Sequence, residues 1–366
     1  MERHSVSTAM LWSMLGAALI FAFALASFGQ SRPQAAAPAP FAQNGVQGAT
    51  PALKVRAELV LVDAQVLQKK TGRPIDSLTS GDFRVYENGV QQRVSFLSRD
   101  EMPLSVVFLF DLTDSVRPVL KPLAQGAREA LQHLRPEDEV AVMVYAASAQ
   151  LLQRFTRNRA LAMAAIEKAS RMKSKEAAFF NEGVFQAARE TLNAPEKRSR
   201  RVIIWLTDNV PNIPSEDVRE EYGKSVPKGA LHSEKDAVRE LFGTGATVCT
   251  ILDQSEMSDE MAAVYSDDRE FLAMRMRNPP GDVFQYADAT GGIVVGSSKK
   301  DVSVKLAQLI DAIRARYTLG YEPTLRAPAG AFCRVKVKIA RDAVKRDGKL
   351  VVRATQGYYR GGGAQN

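Results

Sequence analysis

Apolar residues along this chain follow two rhythms. Between residues 104 and 296, five short runs are nearly continuous in apolar, often β-branched residues: LSVVFLFD (104–111), EVAVMVYA (139–146), RVIIWLTD (201–208), ATVCTILD (246–253) and GGIVVG (291–296). A strand with one wetted face alternates, whereas an unbroken run predicts a strand covered on both faces, as in a mostly parallel sheet between helical layers. The intervening segments agree, because they place apolar residues at helical spacing. Leu120, Leu123, Ala127, Leu131 and Leu134 share one face; so do Val184, Ala187, Ala188, Thr191 and Leu192, and then Leu306, Leu309, Ile310 and Ile313. Pro118 and Pro122 predict that the first of these helices starts late or bends in its opening turns.

The flanks alternate instead. KVRAELVLVDAQVL, DFRVYENGV and QQRVSFL on the N-terminal side, and YTLGYEP, FCRVKVKIA and KLVVRATQGYY on the C-terminal side, are short runs punctuated by Gly and Asn, the pattern of antiparallel strands. A few strands apiece are marginal alone. Residues 54–100 and 317–360 are therefore expected to pair into one smaller β module, with an α/β domain at 101–316 inserted between them, which also brings the ends of the mature chain together.

The opening residues stand apart. Ala9 to Phe28 carry no charge, Arg3 precedes them, and Ala24-Leu25-Ala26 offers a small-x-small cleavage pattern. Residues 1–26 thus read as a secretory signal, with an uncleaved membrane anchor as the alternative. Either way the remainder is expected outside the cytoplasm: secreted, periplasmic or envelope-associated. Residues 27–53, rich in Ala, Pro, Gln and Gly without periodicity, read as a disordered linker.

Composition changes this picture little. Of 366 residues, 45% are hydrophobic and 25% charged, so most of the chain can bury a core. The formal charge of +8 is unaltered by loss of residues 1–26, since Glu2 and Arg3 leave together. It permits weak attraction to anionic surfaces, but the Lys and Arg of RVKVKIAR alternate with apolar residues, the mark of a solvated strand face. No nucleic acid partner is expected, and membrane contact only if the N-terminal segment stays uncleaved. Cys249 and Cys333 lie in apolar, strand-like surroundings; a bridge is allowed in an oxidising compartment, and two separate buried thiols are the favoured state.

Candidate chemistry begins where the first apolar run ends. FLFDLTDSV sets Asp111, Thr113 and Ser115 at alternate positions directly after a buried strand. Ligands in open parallel sheets bind beyond the carboxyl ends of strands. One carboxylate and two hydroxyls converging there are hard oxygen donors, suited to Mg²⁺ or Mn²⁺, which leave several positions to water or to a partner's carboxylate. RVIIWLTDN ends in Asp208 as FLFD ends in Asp111, and neighbouring parallel strands would bring both acids to one rim. The plainer alternative is that Asp111 and Ser115 cap the first helix and close a turn.

These residues resemble the von Willebrand factor type A domain, whose metal-ion-dependent adhesion site combines D-x-S-x-S, a separate Thr and a later Asp. The resemblance places Asp111, Thr113 and Ser115 on the first motif, with Thr at the middle hydroxyl, and Asp208 on the later Asp, usually in LTDG. DFRVYENGVQQRVSF, PLSVVFLFDLTDSVRP, DATGG, RARYTLGYEPT and the terminal GYY further resemble the VWFA-related family abundant in Acidobacteria, from about residue 55 to the end. It implies a Rossmann-like three-layer α/β domain in a bacterial exported protein. The family's middle loop usually offers the Thr ligand in a stretch like G-T-A-L-Y-D-A. Here EAAFFNEGVFQA places Ala178 there, so water, Asn181 or Ser174 would have to fill the gap, and Asp114 adds a carboxylate where Gly is common.

Other chemistries fail on their own residues. His4, His133 and His232 are the only histidines, and no GxSxG exists, so a Ser/His/Asp hydrolase lacks its parts. GKS at 223–225 lacks the glycine of a P-loop. In DLTDS, Thr113 cannot act as the acid of a DxDx[TV] phosphatase, and an EF-hand loop would need Glu where Pro122 stands. Residues 209–230 and 254–290, which follow LTD and TILD, are either rim-binding loops or ordinary surface helices with their connections. The expectation is an exported, non-enzymatic module that binds a protein partner at the rim around Asp111, with Mg²⁺ or Mn²⁺ held by Asp111, Thr113, Ser115 and Asp208. The alternative is a structural or scaffolding envelope domain with no functional metal site.

Overall fold

The computed structural model describes residues 59–99, 102–113, 116–174, 178–209, 232–253, 282–324 and 327–361. The unbroken runs form the centre: β5 (Leu104–Asp111), β6 (Glu139–Tyr145), β8 (Arg200–Thr207), β9 (Thr247–Asp253) and β10 (Val294–Ser297), with β7 (Ala149–Thr156) at one edge. Their order is β10-β9-β8-β5-β6-β7, parallel throughout except for antiparallel β7. Every residue of β5, β6, β8 and β9 is buried, which explains why none of them alternates in sequence.

Both faces are covered. Val106, Phe108 and Phe110 of β5 share a core with Leu120 and Leu123 of α1 (Arg117–Gln132), Ile166 of α2 (Arg159–Arg171) and Leu309 of α6 (Val302–Arg314). Val107 and Leu109 point the other way, into a core with Val184 of α3 (Phe180–Glu190), Leu241 of α4 (Glu234–Thr244) and Tyr286 of α5 (Val283–Thr290). This is the expected three-layer α/β architecture.

The flanks build two further four-stranded antiparallel sheets. The first, in order β13-β1-β11-β4, combines β1 (Val60–Gln68) and β4 (Val94–Arg99) with β11 (Tyr317–Tyr321) and β13 (Leu350–Ala354). The second, in order β14-β12-β2-β3, combines β2 (Phe83–Glu87) and β3 (Val90–Gln92) with β12 (Phe332–Ile339) and β14 (Gly357–Tyr359). Strands from both ends of the chain thus share each sheet, and Val62, Val66, Phe83, Val85, Leu319 and Val335 meet in one core. Arg334, Lys336 and Lys338 face outward from β12, as their alternation requires.

Some local expectations change. The first helix starts at Arg117 and not later, because Pro118 sits in its first turn, where a missing N–H costs nothing. Pro122 lies inside the helix, and its carbonyl accepts a hydrogen bond from Ser303 Oγ at 3.2 Å. Leu192 falls beyond the end of α3, in a single 3₁₀ turn, and is 41% exposed, so it leaves the helical face predicted for it. The short helix α7 (Arg341–Asp347), the edge strand β7 and helix α2 are additions to the sequence pattern. Cys249 and Cys333 are both buried free thiols.

A polar seam joins the β module to the α/β layers. Arg200, the first residue of β8, donates from Nε to Asp63 Oδ2 at 2.8 Å and from Nη1 to the Ile313 carbonyl at 3.1 Å. Gln65 donates to the Ala312 carbonyl, and Arg353 to that of Gly292. Residues 56–366 form one compact unit. Among the described residues, no helix is long and apolar enough to cross a membrane.

Candidate metal centre at the sheet rim

Asp111 closes β5 and is wholly buried. Its carboxylate is held by groups from three adjacent strand ends. Thr113 N–H donates to Oδ1 at 2.9 Å, closing an Asx turn; Tyr145 OH, at the end of β6, donates to Oδ2 at 2.9 Å; and Thr207 OH, at the end of β8, donates to Oδ2 at 3.0 Å. The plain capping role is not what Asp111 does, since the N-cap of α1 is Val116, with no side-chain capping bond. Thr113 is itself buried.

Asp208 follows Thr207 and is 8% exposed. Its neighbour Asn209 has φ +61°, in the left-handed region that Asn tolerates better than most residues. That conformation lets Asn209 N–H reach Thr207 Oγ1 at 3.1 Å while Asn209 Oδ1 accepts from Val283 N–H at 3.2 Å, tying the β8 end to α5. A glycine or asparagine after LTD therefore has a backbone reason.

The structure brings Asp111, Thr113 and Asp208 together at this rim; Ser115 and Asp114 lie outside the described residues. Burial and the nearby charge of Asp208 push the Asp111 carboxyl up to about 6, against the hydrogen bonds that favour its ionised form. Burial and Asp111 in turn raise the Tyr145 phenol well above its ordinary value.

Two facing acids amid hydroxyls fit a hard divalent cation in kind, because the donors are all oxygens and a cation would relieve the repulsion. The set is short. Ala178 is buried and supplies no oxygen, while the side-chain oxygen of Asn181 accepts from Tyr286 OH at 2.8 Å across to α5. Ser174 is half-buried. Among the described residues, no three His, Cys, Asp or Glu side chains gather as a metal cluster, so hydroxyls would have to serve. Sequence reasoning missed Tyr145 and Thr207. Both end apolar runs on strands flanking β5, and that placement was the available signal. Residues 210–231 and 254–281, most of the two proposed rim segments, lie outside the described residues.

Residues 106–210 match the family model of the von Willebrand factor type A domain. The chain carries a von Willebrand factor type A domain. The matched stretch of the type A domain runs from β5 through β8 and includes Asp111, Tyr145 and Asp208. No curated protein matches the chain. Among solved structures, a von Willebrand factor type A protein from Catenulispora acidiphila is 12% identical, with 82% of this chain and 74% of that one covered, at a TM-score of 0.40. The vWF domain of the type V pili tip protein Mfa5 from Porphyromonas gingivalis is 10% identical over 58% and 95%, at 0.39. BatB from Bacteroides thetaiotaomicron is 16% identical over 57% and 99%, at 0.35. Likenesses this loose add no argument to the family match.

Proposed function

We propose that the protein is an exported, non-enzymatic binding module whose type A domain engages a protein partner at the rim around Asp111. The contact runs through Mg²⁺ or Mn²⁺ held by Asp111, Thr113, Ser115 and Asp208, and an acidic residue of the partner completes the shell. One observation carries this reading: a wholly buried carboxylate is placed beside a second acid at the ends of neighbouring strands, an arrangement that a bound cation would stabilise. The uncharged run at 9–28 supports export. The narrower kinship to the VWFA-related family of Acidobacteria belongs to the same proposal.

Ala178, which has no donor oxygen, favours the second reading, a scaffolding envelope domain with no functional metal site. Thermal unfolding separates the two. Millimolar Mg²⁺ or Mn²⁺ should raise the melting temperature by mass action, and Asp111→Ala should abolish the rise. An unchanged melting temperature at millimolar ion would favour the scaffold.

A further inference from the structure

Behind Asp111 lies a hydrogen-bond relay with a fixed direction. Trp205 Nε1–H donates to Tyr145 Oη at 2.9 Å, and Tyr145 OH donates to Asp111 Oδ2 at 2.9 Å. An indole N–H only donates and an ionised carboxylate only accepts, so the tyrosine proton is committed to Asp111. Such chains strengthen cooperatively in a dry interior, and Trp205, Tyr145 and Asp111 are all at most 1% exposed.

The tyrosine ring has no room to swing. A Cβ on Gly183 of α3 would come within 2.8 Å of Tyr145 Cγ, so the helix backbone lies against the ring. Phe180 and Trp205 meet it edge to face, each with centroids 6.2 Å away. With Thr207 OH also on Oδ2, both lone-pair sites of that oxygen are filled. Oδ1 accepts the Thr113 N–H, and the Thr113 hydroxyl also bonds the carboxylate, so the rim-side hydroxyl and Oδ1 are the donors a cation would meet.

We propose that Tyr145, set in place by Trp205, is a positioning residue that ties back one oxygen of Asp111 and presents the other to a hard divalent cation at the rim. The proposal rests on the cation reading of the site for its ligand, but the relay's grip on Asp111 is testable without metal. Partners that orient a metal ligand commonly cost 10- to 100-fold in affinity when removed.

The chain has two tryptophans, Trp12 and Trp205, so the full chain carrying Trp12→Phe reports on Trp205 alone. In that background, Tyr145→Phe should weaken Mn²⁺ binding, read by electron paramagnetic resonance, by about tenfold. Trp205→Phe, which keeps the tyrosine hydroxyl, should weaken it less. Without metal, Asp111→Asn should shift Trp205 emission when Tyr145 is present and leave it unchanged in Tyr145→Phe. Mn²⁺ affinity within twofold of the parent in Tyr145→Phe, or an emission shift that ignores the tyrosine, overturns the proposal. A parent chain that binds no Mn²⁺ but keeps the emission coupling would sink the cation reading and uphold the relay.

Discussion

Replacing Asp63 by Asn removes a carboxylate bonded to Arg200 at the seam between β module and α/β layers. The Arg200 side chain is 2% exposed and that of Asp63 24%. Thr318 Oγ1 also donates to Asp63 Oδ1 at 2.8 Å, and fully buried Arg316 adds a second cation nearby. Burial, the largest single influence, would raise the Asp63 carboxyl, but the charges of Arg200 and Arg316 together with the hydrogen bonds from Thr318 and Arg200 hold the group below its ordinary value. Breaking a buried pair by removing one partner costs about 3–5 kcal/mol, because the other charge stays buried. Arg200 keeps its bond to the Ile313 carbonyl and Asp63 is partly wetted, so the low end applies, about 3 kcal/mol. In a unit this large, that is a fall in melting temperature of about 6 °C.

Urea and thermal unfolding of the Asp63→Asn chain at neutral pH read this directly. Because the folded Asp63 is depressed, its stabilisation is fully present above the ordinary carboxylate range and is lost as pH falls below about 4 through the folded value. The difference between parent and variant should therefore shrink in acid. The double variant Asp63→Leu with Arg200→Met should recover part of the loss, since it removes both charges of the pair and leaves only Arg316 without the carboxylate. A loss below about 1 kcal/mol, the range of an exposed pair, or one unchanged on acidification, refutes the reasoning.

Two further outcomes follow from buried groups. Asp111 is held up at about 6, so the folded state disfavours its ionisation; the penalty is absent below about pH 4 and grows to about 3 kcal/mol as pH rises through 6. In chelator, Asp111→Asn should therefore gain stability relative to the parent between pH 4 and pH 8 in equilibrium unfolding, and a pH-independent difference would contradict it. Burial raises both cysteine thiols and hides them, so a thiol reagent should find none in the native protein and two in urea without reductant; none in urea would mean a bridge.

The sheet was legible because burial on both faces leaves an unmistakable run. β5 and β8 announce themselves by composition, and the acids at their ends stand out against it. β7 was not legible, since an edge strand half-buried along AQLLQRFT neither alternates cleanly nor runs apolar. Helix α2 has the weaker signal of small residues, with Ala162, Ala165 and Ala169 buried against the sheet. At the site, the pattern named acids and hydroxyls next to one motif. It passed over Tyr145 and Thr207 because a tyrosine or threonine ending a strand reads as core until its partner across the sheet is known. Trp205 is the same case, an interior aromatic whose single polar atom has a fixed task.

The treatment of buried acids elsewhere in the chain sharpens the reading of the rim. Asp63 faces Arg200, and Asp138 is paired with Arg314 and accepts the backbone N–H groups of Leu104 and Arg135. Glu182 bonds His232 and Gln186, and Glu87 takes the hydroxyls of Tyr321 and Tyr358. Each is matched with a cation or with neutral donors alone. At Asp111 the donors are neutral, yet the charge that acts on it most is another acid, Asp208. At the end of β5, by contrast, a wholly buried acid lies near a second acid that follows the neighbouring strand β8. On the proposed reading, that opposition holds the Asp111 carboxyl up until a cation enters, which is the energetic form expected of a binding site.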